Sequence, residues 1–178
     1  MAYFVTGATG FIGRFLMADL LKRDGTIYVL CRASSLDKLD ELRERLGTDD
    51  QRVVAVIGDL SKDRLGVDAD EIDRLDGQIG HFFHLAAIYD LTADADSQHV
   101  ANVEGTRHAL HLAEAVHAEH FHMVSSIAAA GLYKGTFTED MFDEAEHYEH
   151  NPYYLTKHVS EGVVRDEAKI PWRIYRPG

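Results

Sequence analysis

Short apolar runs alternate along this chain with longer stretches in which apolar residues return every three or four positions. The runs Tyr3-Phe4-Val5, Thr26–Cys31, Val53–Ile57, His81–Leu85, His120–Val124 and Trp172–Tyr175 read as strands. They are apolar nearly without a break, the pattern of strands buried on both faces of a parallel sheet. The periodic stretches predict helices between them. One runs from about Phe11 to Lys22 and is closed by Asp24-Gly25; the next, Leu36 to Leu46, carries Leu36, Leu39, Leu42 and Leu46 on one side. A short helix fits near Asp70 to Leu75, a long one from roughly Ser97 to His117, and a last one from Pro152 or Tyr153 to about Ala168. Ser34 or Ser35 is the expected cap of the second helix, and Pro152 suits a first helical turn, where its missing N–H is not needed. Ser61 to Gly80 reads as loose and acidic, and Ile127 to Asn151 as a loop. This alternation predicts an α/β fold, a doubly wound parallel sheet with flanking helices and strand order 3-2-1-4-5-6. Right-handed crossovers then place a ligand beside strand one, where that order reverses.

Composition mainly excludes. The 178 residues suit one domain and are too few for two ordinary ones. No apolar run approaches the ~20 residues of a membrane span, and no signal peptide fits ahead of the first strand. The single cysteine, Cys31, rules out an internal disulfide and fits a reducing, cytoplasmic setting. A formal charge of −12 disfavours nucleic acid, and an anionic cofactor would need a locally basic pocket. Of the 11 histidines several are paired (His81/His84, His117/His120, His120/His122). No Cys, Asp or Glu set completes a metal site at the usual spacing, so they read as structural and no metal is expected.

The chemistry starts at the first strand. Tyr3-Phe4-Val5 runs into Thr6-Gly7-Ala8-Thr9-Gly10-Phe11-Ile12-Gly13, with glycines spaced G-x-x-G-x-x-G where a helix opens. Gly7 allows the sharp turn, Gly10 lets a pyrophosphate approach the backbone, and Gly13 lets helix and strand pack closely, while the helix N-terminus faces the anion. An ordinary glycine-rich turn has the same spacing; its place on the first strand of a βαβ pattern favours the dinucleotide reading. Roughly 20 residues past the motif, where an acid would bind a ribose 2′-hydroxyl, stands Arg32. Arg14 follows the last glycine. Two guanidiniums in an acidic protein suit a 2′-phosphate, so NADPH is the expected cofactor. At the end of strand three, Asp59 and Leu60 are placed to meet the adenine, the carboxylate taking its amine and the leucine packing its ring.

Strand five delivers Ser125-Ser126, and the last helix carries Tyr153 and Lys157. The Y-x-x-x-K spacing puts phenol and ammonium one turn apart on one face. A nearby ammonium favours the phenolate and makes tyrosine a better proton donor, and a serine can hold an oxygen on which charge develops. Lys157 can also bond the nicotinamide ribose. Asn102, opening Asn102-Val103-Glu104-Gly105-Thr106, is placed to steady a water or backbone group behind Lys157.

Taken in order, the glycine motif, Gly58-Asp59-Leu60, His84-Leu85-Ala86-Ala87, Asn102 to Thr106, Val124-Ser125-Ser126, Tyr153-x-x-x-Lys157 and Arg176-Pro177-Gly178 resemble the extended short-chain dehydrogenase/reductases, which are Rossmann-type proteins. Gly10 to Arg14, Val29-Leu30-Cys31-Arg32, Phe83 through Ile88-Tyr89-Asp90, Phe137 to Phe142 and Arg173 to Gly178 look more specifically like bacterial fatty acyl-CoA reductases, relatives of the thioester-reductase branch. The resemblance implies a catalytic set of Ser126, Tyr153 and Lys157, with Ser125 as alternate. It assigns Gly7, Thr9, Gly10, Phe11, Ile12, Gly13, Arg14, Arg32, Asp59, Leu60, Ala86, Ala87, Asn102, Tyr153 and Lys157 to the cofactor. The implied reaction is NADPH-dependent reduction of a long-chain acyl-CoA to the aldehyde and onward to the alcohol. Epimerases, dehydratases and hydroxysteroid-type dehydrogenases of the same superfamily, and a dinucleotide sensor without turnover, are the alternatives. Arg32 argues against the first two, and the intact Tyr/Lys pair against the last. Extended members carry a substrate domain beyond the Arg-Pro-Gly turn. Its lack here leads us to expect cofactor binding with little activity from these residues alone, and self-association through apolar surface at the seam.

Overall fold

The computed structural model describes residues 1–87 and 100–178. Strands β1 (Ala2–Thr6), β2 (Ile27–Cys31), β3 (Val53–Ile57), β4 (Ile79–His84), β5 (His120–Val124) and β6 (Trp172–Tyr175) form one parallel sheet in the order β3-β2-β1-β4-β5-β6. This is the expected doubly wound order. β1 lies inside the sheet and is buried at every position, which its unbroken apolar run requires.

The sheet is covered on both faces. Helices α1 (Phe11–Leu20) and α2 (Leu36–Leu46) bring Met17, Leu20, Leu39 and Leu42 onto Tyr3, Val5, Ile27, Val29 and Val53. A short α3 (Ala69–Leu75) is capped by Asp68, whose carboxylate accepts from the Glu71 N–H. On the other face α4 (Gly105–Ala115) and α5 (Pro152–Glu167) bury Leu110, Leu112, Ala113 and Val164 against Phe4, Phe82 and Phe121. Those three phenylalanines occupy paired positions on adjacent strands, with Phe4 4.5 Å from Phe82 and Phe82 5.6 Å from Phe121 between ring centres. A one-residue slip would turn a ring to the wrong face, so this ladder pins the register of the central strands.

Several boundaries differ from expectation. α1 ends at Leu20, not Lys22, because the chain tightens into short-range bonds from Lys22 N to Asp19 O and from Arg23 N to Leu20 O. Ser35 stands at the N-cap position of α2 but its side chain makes no cap bond: residues Ala33–Ser35 form a 3-10 turn that leads directly into the helix. β4 begins two residues earlier than His81 and ends at His84. The expected long helix begins, among the described residues, as a π-helical segment, Val100–Glu104, before α4; its expected start, Ser97 to His99, lies outside them, as do Ile88, Tyr89 and Asp90. The expected loop from Ile127 to Asn151 contains three short 3-10 turns. At α5 Pro152 takes the first turn and the Asn151 carboxamide oxygen accepts from the Tyr153 and Tyr154 N–H groups.

Candidate active site

The chain leaves β1 at Gly7, whose φ of +75° is open to glycine and strained for other residues. A Cβ there would lie 2.8 Å from the Ala86 nitrogen, so the end of β4 sits against the turn. Thr6 fastens the same junction, its hydroxyl accepting from the Ala86 N–H at 3.2 Å. Gly10 N donates to Gly7 O at 3.1 Å, and α1 opens at Gly10 with no capping side chain. Thr9, Gly10, Phe11 and Ile12 are exposed along the outer side of the turn. Beside it the Arg14 guanidinium sits 4.9 and 5.0 Å from the Phe11 and Phe15 ring centres, and its buried Nε has no hydrogen-bond partner among the described residues. A helix start without a cap, a close glycine backbone and an orphaned guanidinium nitrogen fit the pyrophosphate and phosphate of a dinucleotide.

Arg32 is exposed just beyond β2. Asp59 lies within range of its charge, and one oxygen of its carboxylate accepts from the Ser61 N–H at 2.9 Å and its hydroxyl at 2.8 Å. Those bonds, then the charges of Arg32 and Lys62, hold the Asp59 carboxyl below its ordinary range even against desolvation. The Leu60 carbonyl accepts from the His108 ring at 2.8 Å, tying this strand end to α4.

Tyr153 and Lys157 are 9% and 5% exposed, and the Lys157 Nζ lies 5.8 Å from the Tyr153 ring centre. Lys157 donates to the Val124 carbonyl at 3.5 Å, two residues before Ser126. The two serines diverge. Ser125 is buried and its hydroxyl donates a hydrogen bond to Glu161, whereas Ser126 is half-buried in extended backbone and its Oγ accepts from the Ala128 N–H. Asn102 stands behind Lys157 one residue removed, donating to the Thr156 hydroxyl at 3.3 Å.

Burial pushes Lys157 down to about 8. In the unfolded chain it returns toward 10.5, so between those values the unfolded state holds more protons and stability rises with pH. The full span is worth on the order of 3 kcal/mol. The apparent Tm, referenced to Lys157→Met, therefore climbs from pH 8 to 10; a flat difference in calorimetry contradicts the buried ammonium.

Two residues outside the expected site set complete the surroundings. His84 is fully enclosed between the Thr6 and Thr106 hydroxyls, at 2.9 and 3.2 Å. Burial, then the Lys157 charge, pushes it down to about 3, so it is neutral and joins the phosphate turn to α4. Glu161 follows Lys157 by one turn; its place in the Tyr153/Lys157 stripe of a helix face was the signal available in the sequence. A concavity of about 1340 Å³ instead wraps around β6 between Leu16, Phe83, Val124, Trp172, Tyr175 and Arg176. Among the described residues, His147, Glu149 and His150 bring ligand atoms within 4.8 Å of one another, all three exposed. No described helix is long and apolar enough to cross a membrane.

Comparison with known proteins identifies the family. Residues 5–178 match the profile of the male sterility protein family, an NAD-binding family. The chain is 33% identical over 99% of its length to a linear gramicidin synthase of Brevibacillus parabrevis, of which it spans 4%. A Drosophila melanogaster protein named as a fatty acyl-CoA reductase, CG8306, is 28% identical over 98% of the chain, which spans 42% of it. Among solved structures, the terminal R domain of the myxalamid biosynthetic pathway superposes with a TM-score of 0.84 at 31% identity, covering 99% of this chain and 48% of that one. The chain thus spans less than half of each. It belongs to the male sterility protein family, as an NAD(P)-binding domain with the extended short-chain dehydrogenase/reductase fold.

Proposed function

We propose that this chain is the cofactor-binding and catalytic part of an NADPH-dependent oxidoreductase that reduces long-chain fatty acyl-CoA thioesters to the aldehyde and onward to the primary alcohol. The observation that carries the reading is the buried ammonium of Lys157, set one turn after Tyr153 and bonded to the strand end that leads to Ser126. Gly7 to Arg14 would hold the pyrophosphate side of the dinucleotide, with Arg14 and Arg32 at its 2′-phosphate. When bound, the cofactor supplies the hydride. Ser126 and Tyr153 hold the carbonyl oxygen as charge builds on it, and the thiolate leaves. In the second reduction Tyr153 gives its proton to the alkoxide, and the Lys157 charge makes it a better donor. Lys157 also has the reach to steady the ribose, with Asn102 and Thr156 behind it.

A second reading keeps the chemistry and changes the carrier: an acyl group held as a thioester on a carrier protein. The likeness to a linear gramicidin synthase and to an R domain from a PKS-NRPS pathway favours it. The full-length protein separates the two when given palmitoyl-CoA, the free fatty aldehyde and the same acyl group on a carrier protein. Expected is NADPH oxidation with palmitoyl-CoA and with aldehyde, the alcohol as product, and weaker use of NADH. Turnover of the carrier thioester alone moves the assignment to the second reading, and no turnover of any of the three removes both.

A further inference from the structure

We infer that Glu161 is a positioning residue for the catalytic serine: its buried carboxylate fixes the strand end that bears Ser126 against Lys157 and the turn after β6. This rests on the catalytic roles proposed above. Glu161 is 0% exposed, and both its oxygens are filled. Oε1 accepts from Arg165 Nε and Nη2 at 3.0 and 2.9 Å and from Arg176 Nη2 at 2.5 Å. Oε2 accepts from Arg176 Nε at 3.1 Å and from the Ser125 hydroxyl at 3.2 Å. Burial alone would raise its pKa; the bonds and charges of Arg176 and Arg165 outweigh that and leave the group ionised.

A buried ion cluster is seldom the most stable way to fill a space, since well-packed apolar residues do as well or better. What five converging donors give is direction. Tyr153, Lys157 and Glu161 succeed one another by one turn along α5, so one face offers phenol, ammonium and carboxylate to the end of β5. Lys157 takes the Val124 carbonyl, and Glu161 takes the Ser125 hydroxyl. On the other side Ser125 N donates to Tyr175 O at 2.8 Å and Ile127 N to Pro177 O at 3.1 Å. Ser126 therefore sits between two backbone bonds whose acceptors flank Arg176, and Arg176 is held by Glu161. The same guanidiniums reach the next segment, from Arg176 Nη1 to Thr138 O at 3.1 Å and from Arg165 Nη2 to Glu139 O at 3.4 Å. One carboxylate thus sets the strand end, the turn after β6 and the 138–139 backbone relative to Lys157.

The test is Glu161→Gln in the full-length protein, which keeps the shape and removes the charge. Expected is a fall in kcat on the order of 30-fold with aldehyde, from a displaced oxygen contact. NADPH Kd stays unchanged, because the phosphate turn is built elsewhere. In a Ser126→Ala background the same substitution costs little more, since both act through one group. Hydrogen exchange by mass spectrometry rises at Ser125 to Ile127 and not in β1 or β2. Normal kcat in folded Glu161→Gln overturns the inference, as does faster exchange throughout the protein, which marks a merely structural role. If the wild type turns over no substrate, the functional reading fails by itself; unchanged exchange at Ser125 to Ile127 then also overturns the positioning role, and a local rise supports it. Should Glu161→Gln not fold, Glu161→Asp and Arg176→Lys, which keep charge and lose geometry, are read the same way.

Discussion

Tyr153→Phe lowers aldehyde turnover by about a thousandfold, within the range of a lost general acid, while the variant still binds NADPH. The substitution removes one oxygen and keeps the ring, so the packing against Tyr154 and the placement beside Lys157 persist. What disappears is the proton an alkoxide must receive before it can leave as an alcohol. The acyl thioester step suffers less, because its oxyanion collapses by expelling thiolate and needs no proton on oxygen. The variant is therefore expected to accumulate aldehyde from acyl-CoA, read as the ratio of aldehyde to alcohol at equal NADPH consumed. Wild-type kcat with aldehyde would remove Tyr153 from the mechanism.

Gly13→Ala is the other large effect, and it falls on binding. A Cβ at Gly13 would overlap Gly7 O and stand 2.6 Å from Ala8 O and 2.7 Å from Ala8 C. All three are backbone atoms, so no side chain can swing away and the turn itself must open. Opening it misaligns the N–H groups at the start of α1. Losing two charge-assisted hydrogen bonds to phosphate at about 2 kcal/mol each raises the NADPH Kd by roughly a thousandfold. Titration of NADPH fluorescence measures it; a Kd within tenfold of wild type would mean that the glycine turn is not the pyrophosphate cradle.

The fold was legible because buried parallel strands cannot hide: six apolar runs in order, with a glycine turn on the first, leave few topologies open. The candidate site was legible as far as local spacing reaches, which gave Tyr153 and Lys157 as one stripe and the glycines as one turn. It stopped at contacts made through space. Nothing near Ser125 in sequence announces that its hydroxyl donates to Glu161, 36 residues later. His84 lay in a strand read by its hydrophobicity, and its role depends on two threonines, one 78 residues before it and one 22 after. Asp59 was placed by its strand end alone, and the two bonds that Ser61 gives one oxygen of its carboxylate were not legible from that position. The cap position was legible, since Ser35 stands at it, but the 3-10 turn that ends there leaves its side chain without a cap bond.

The position of β1 between β2 and β4 also governs when the sheet can close. Thr6 pairs with His84, so one flank of the first strand waits for a segment 78 residues downstream. At about 5–20 residues per second a ribosome needs roughly 4–16 s to deliver it. During that interval Phe4 lacks the Phe82 ring it will stack upon, and an unpaired, largely apolar strand edge is open to other nascent chains. Slower synthesis lengthens that exposure and is therefore expected to lower the soluble yield of this protein.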